Sequence, residues 1–138
     1  MKLPVFFILL LTQNCQSSWT GEVLSIESGM CLGDCPVYSL KLESDGHFVL
    51  TLSRNKITKQ GKLNPKEKRE LLDLLTLIGF KHSKKQYGNP LIRDLPIITI
   101  TFGNSKMSFV GRSSAPTPLL KLIKWADRLH YKTLYPND

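Results

Sequence analysis

The sequence predicts an α+β sandwich, an antiparallel sheet of about five to six strands with two helices packed on one face. Three observations point there. Short runs of apolar and polar residues alternate with period two and are joined by turn residues, the pattern of antiparallel strands with one wet face. Two longer stretches, near 64–78 and 117–130, carry apolar residues at helical spacing instead. Their order, β-β-β-(β)-α-β-β-α, puts helices after hairpins rather than between parallel strands. At 138 residues the chain has room for one domain and not for two independent cores.

Each element has its own local reason. Glu22 to Ser28 alternate as a first strand, and a loop punctuated by glycine and proline follows from Gly29 to Pro36. Val37 to Glu43 place Tyr38, Leu40 and Leu42 on one face. Ser44-Asp45-Gly46 is a hairpin turn, and His47 to Ser53 return with Phe48, Leu50 and Leu52 together. Residues 54–63 are basic and read as an edge strand carrying Ile57, its Lys56, Lys59 and Lys62 discouraging pairing with another chain. Asn64, Pro65 and Glu67 spell a helix start: a side-chain cap, a residue with no donor to lose, and the acid that completes a capping box. That helix runs to about Ile78 and stops at Gly79, with Leu71, Leu74, Leu75 and Ile78 on its inner face.

Residues 80–94 have no strong period and read as a loop. Leu95 to Phe102 gather Ile98, Ile100 and Phe102 on one side. Gly103-Asn104 is a two-residue hairpin turn, and Lys106 to Val110 come back with Met107 and Phe109 inward. The last helix starts near Thr117-Pro118 and extends towards His130 on Leu119, Leu122, Ile123, Ala126 and Leu129. Tyr131 to Asp138 read as an irregular tail.

The N-terminus carries an export signal. Lys2 is the positive start and Leu3 to Leu11 the apolar stretch, too short to span a membrane. Two cleavage readings stay open. Cys15 stands where a bacterial lipoprotein carries its lipidated cysteine, although Thr12-Gln13-Asn14 is a poor lipobox; the rival is ordinary cleavage near Ser17 or Ser18. Lipidation is favoured, giving a signal over 1–15 and a single domain over 19–138, and Gln16 offers no inner-membrane retention signal. The expected location is therefore the bacterial envelope, at the outer membrane, with a periplasmic or secreted protein as the alternative. Cysteine parity agrees: without Cys15, Cys31 and Cys35 remain as an even pair in an oxidising compartment.

Cys31-Leu32-Gly33-Asp34-Cys35-Pro36-Val37-Tyr38 resembles the Cys-aromatic-Gly-x-Cys-Pro-x-Tyr signature of a bacterial family of domains of unknown function, numbered 6438. Asp45-Gly46 before Phe48, Asp94-Leu95-Pro96 before a Thr/Ile-rich strand, and Ala115-Pro116 before the last helix agree in order. The resemblance covers about 22–130. Leu32 stands where the signature has an aromatic residue. The resemblance implies a secreted or lipoprotein domain and no assigned activity.

The chemistry is sparse. Three residues separate Cys31 from Cys35, and Gly33-Asp34 permits a turn tight enough for a disulfide. Closing so short a loop contributes about 2 kcal/mol in the chain-entropy model. A redox-active dithiol is the alternative, but no helix N-terminus follows Cys31 to stabilise a thiolate. Cys31, Cys35, His47, His82 and His130 lack the paired spacing of a zinc site. Asp34 is expected to cap the cysteine turn, and Asp94 to close a turn or pair with Arg93. No Gly-x-Ser-x-Gly, His-Glu-x-x-His or phosphate loop occurs, so the chain is not read as an enzyme, and no cofactor or metal is expected. A net charge of +8 and the cluster Lys81, Lys84, Lys85 make anionic envelope components the candidate partners. Membrane contact is expected through a lipid anchor alone, and nucleic acid is not expected for an exported chain.

Overall fold

The computed structural model describes Gly21 and residues 23–137; the expected signal, Cys15 and the start of the expected domain at 19 lie outside them. Seven strands form one sheet: β1 (Leu24–Ser28), β2 (Tyr38–Leu42), β3 (His47–Leu52), β4 (Ile57–Lys62), β5 (Gln86–Tyr87), β6 (Ile97–Phe102) and β7 (Ser105–Val110). Their spatial order is β4-β3-β2-β1-β6-β7-β5. All neighbours are antiparallel except β5 and β7, which run parallel. The class is thus α+β as expected, but the sheet is mixed and has seven strands rather than five to six.

The additional strand, β5, lies inside the stretch 80–94 read as a loop. Two residues cannot display a period. What holds them is tertiary: the Tyr87 ring stacks on Phe109, centroids 5.1 Å apart, and Ser108 N–H donates to Lys85 O at 2.9 Å. A single 3₁₀ turn at Phe80–His82 occupies the same stretch.

Alternation set the two faces. Leu24, Ile26, Tyr38, Leu40, Leu42, Phe48, Leu50, Ile98, Ile100, Met107 and Phe109 are buried in one cluster, while Ser25, Glu27, Ser39, Lys41, Thr99 and Thr101 occupy the wetter face. The helices α1 (Pro65–Leu77) and α2 (Thr117–Leu134) complete that cluster with Leu71, Leu74, Leu119, Leu122, Ile123, Trp125, Ala126 and Leu129. They run antiparallel to each other, since Glu67 pairs with Lys132 and Glu70 with Arg128.

The start of α1 is as the sequence dictates. Asn64 Oδ1 accepts from Glu67 N–H at 2.8 Å, Glu67 Oε2 accepts from Asn64 N–H at 2.9 Å, and Pro65 opens the helix. The end of α2 is a correction. The tail from Tyr131 was expected to be irregular, yet the helix continues to Leu134. Lys59 explains part of the gain: although β4 is the sheet edge, its ammonium reaches Thr133 O at 3.1 Å and satisfies a carbonyl of the last turn.

Candidate functional site

The added turn of α2 builds a groove of about 910 Å³, lined on one side by Asp127, His130, Tyr131, Leu134 and Tyr135 and on the other by Asp34, Cys35, Pro36 and Arg54. Its volume lies within the range of small-molecule sites. The two walls come from opposite ends of the chain. One is the last two turns of α2; the other is the cysteine loop entering β2, with the turn between β3 and β4.

The loop wall is fixed three times. Cys31 and Cys35 form a disulfide with their Cα atoms 6.2 Å apart. The buried Ser28 hydroxyl donates to Pro36 O at 2.7 Å, tying the exit of the loop to the end of β1. The Arg54 guanidinium reaches Gly33 O at 3.4 Å.

The walls meet through Tyr38, one residue beyond Val37. Its hydroxyl donates to Asp127 Oδ1 at 2.8 Å, and its ring stacks on His130 with centroids 4.8 Å apart. Arg112, in a 3₁₀ turn after β7, sets its two terminal nitrogens against the same carboxylate, at 2.9 Å from Oδ2 and 3.3 Å from Oδ1. Asp127 is therefore gripped from two sides by parts of the fold far apart in sequence.

Burial pushes the Asp127 carboxyl above its ordinary range, and the Arg112 charge and the Tyr38 hydrogen bond pull it back. Burial, then the Asp127 charge and its hydrogen bond, drive the Tyr38 phenol far up, so Tyr38 stays protonated and donates. Burial lowers His130, opposed by the Asp127 charge. Among the described residues the Tyr38 hydroxyl and the Arg112 guanidinium converge on the Asp127 carboxylate, while the Arg112 Nη1 that forms the ion pair with Oδ2 is buried without a hydrogen-bond partner.

The residues singled out by sequence scatter. Cys35 lines the groove, and Cys31 is bonded to it. Lys81 lies in the 3₁₀ turn and lines a second hollow of about 600 Å³ with Phe80, His82, Phe102 and Asn104. Lys84 and Lys85 are exposed on the approach to β5. His47 faces Asp45 at 2.6 Å, and the backbone N–H of His47 also binds Asp45, holding its carboxyl below the usual range. Asp34 lines the groove and caps nothing: its carboxylate makes no hydrogen bond among the described residues. Asp94 is exposed and likewise pairs with no Arg93. Among the described residues no group of three His, Cys, Asp or Glu could hold a metal ion, and no helix is long and apolar enough to cross a membrane.

Tyr38, Arg54, Arg112, Asp127, His130, Tyr131 and Tyr135 were missed as a group. One signal was available: Asp127, His130, Tyr131, Leu134 and Tyr135 recur at spacings of three and four, a single stripe once the helix is carried past His130.

No curated protein matches the chain. Residues 22–130, from the first strand to the groove-lining part of α2, match the family described as Domain of unknown function (DUF6438), and the chain belongs to that family.

Proposed function

We propose that this protein is an exported envelope lipoprotein, anchored through Cys15, whose domain acts as a non-catalytic binding module through the groove between α2 and the cysteine loop. The observation that carries this reading is the Cys31–Cys35 disulfide at the groove wall. A disulfide persists in an oxidising compartment, which agrees with the signal in the sequence. Its position beside an open groove is where rigidity lowers the cost of ordering a binding surface. The contacts of Tyr38 and Arg112 with Asp127 brace α2 against β2 and the turn after β7, which supports a fixed groove wall.

The thiol-disulfide alternative draws less support, because the pair stands in a loop ahead of a strand, without a helix N-terminus to favour a thiolate. The test is metabolic labelling with an alkyne fatty acid in a bacterial host, followed by membrane fractionation. The label is expected in the membrane fraction for the native chain and absent for Cys15→Ala. A native chain that is unlabelled and found in the cytoplasm overturns the proposal.

A further inference from the structure

Resting on the groove as the binding surface, we infer that its ligand is a saccharide chain bearing carboxylates, held by ring contact with Tyr131 and Tyr135 and by ion pairing with Arg54. Three features of the groove lead to this class.

The first is the aromatic corner. Tyr131 and Tyr135 are one helical turn apart, with centroids 4.8 Å apart and planes tilted by 42°, and they remain 55% and 51% exposed. Large aromatic faces open to solvent at the mouth of a hollow are suited to apolar ring faces of a ligand.

The second is the distribution of charge. Arg128 and Lys132 line the groove but are engaged with Glu70 and Glu67 of α1. Arg54 differs: its guanidinium makes one long contact to a carbonyl and has no carboxylate partner among the described residues. A planar guanidinium in that state is matched by a carboxylate, which can accept two parallel hydrogen bonds.

The third is the presence of an acceptor beside that donor. The exposed carboxylate of Asp34 lines the same hollow and can accept hydrogen bonds from hydroxyls, whereas Asp127 is already engaged by Tyr38 and Arg112. Ring faces, a hydroxyl acceptor and, among the described residues, a guanidinium without a carboxylate partner together describe a sugar chain bearing carboxylates.

The probe is tetragalacturonate, titrated calorimetrically into the purified full-length mature protein, with its methyl ester as the neutral control. Arg54→Gln and Tyr135→Ala are each expected to weaken binding on the order of tenfold, the scale of one charge-assisted hydrogen bond or one lost aromatic contact. Both side chains lie on the surface, and unchanged thermal unfolding of the variants shows that the fold is kept. A triple variant Lys81→Gln, Lys84→Gln, Lys85→Gln is expected to bind as the native protein does. Three results overturn the inference: no binding of tetragalacturonate, equal binding of the methyl ester, or loss of binding in the triple lysine variant instead. A protein that carries its lipid at Cys15 and ignores the probe would refute the ligand class while leaving the anchor intact, so the two failures are distinguishable.

Discussion

Tyr38 is held at both ends of its side chain, by the His130 ring against its face and by Asp127 at its hydroxyl. Tyr38→Phe keeps the ring contact and removes the bond, leaving Asp127 to Arg112 alone. The expected cost is about 1–2 kcal/mol, the usual loss when a partly buried acceptor loses a donor, measured by urea unfolding. His130 gives a pH test. Burial lowers its pKa in the folded state, so the unfolded chain binds more protons near neutrality. Its contribution to stability is present above the ordinary value of 6.5 and is lost as pH falls through the lowered folded value. Asp127 acts with the opposite sign: its raised pKa favours the folded state below the ordinary 3.8, and that contribution is lost as pH rises through the folded value. The melting temperature is expected to fall on acidification from about pH 7.5 to about pH 5.5, and His130→Asn to flatten that slope. A slope unchanged in the variant would assign the dependence elsewhere. The sequence displayed Tyr38 correctly as an inward residue of a strand. It could not display the partner, because Asp127 lies 89 positions away and only the packed helix brings it there.

Local chemistry decides the elements where signals are dense. Asn64, Pro65 and Glu67 stated the start of α1 to the residue, and the capping bonds form as written. Asn64→Ala is expected to cost about 1 kcal/mol, with the loss read by chemical denaturation. At the sheet edge, Gly61 of β4 lies opposite Phe48 of β3, and a Cβ built on Gly61 would stand 2.5 Å from the Phe48 ring. Phe48 therefore occupies the space a side chain would need. Gly61→Ala is expected to destabilise by about 1–3 kcal/mol through overpacking, and the double variant Gly61→Ala, Phe48→Leu to recover part of it. Where local signals thin out, the reading fails. β5 is too short for any period and is held by the Tyr87–Phe109 stack. The last turn of α2 begins at Tyr131, where the sequence reads as a tail, and its Thr133 carbonyl is satisfied by Lys59 from a distant strand. Both misses have one cause: a tertiary contact supplies what the local sequence does not.

At the scale of the molecule, one apolar cluster joins the inner face of the sheet to both helices, and the groove opens where α2 passes the cysteine loop. The alternating strands and amphipathic helices made that architecture readable in advance. The groove was not, because its walls are contributed by the loop at 34–36, the turn at Arg54 and the stripe from Asp127 to Tyr135. The disulfide is the covalent tie within the loop wall. Its reduction is expected to lower stability by about 2 kcal/mol, the closure entropy of so short a loop, and to loosen the wall bearing Cys35 and Pro36. The most direct measurement is the intact mass of the protein purified from membranes, alkylated with and without prior reduction. The proposal of a stapled, exported lipoprotein predicts a chain beginning at diacylated Cys15, with Cys31 and Cys35 alkylated after reduction and not before. A soluble, unacylated chain whose two cysteines alkylate without reductant would contradict it.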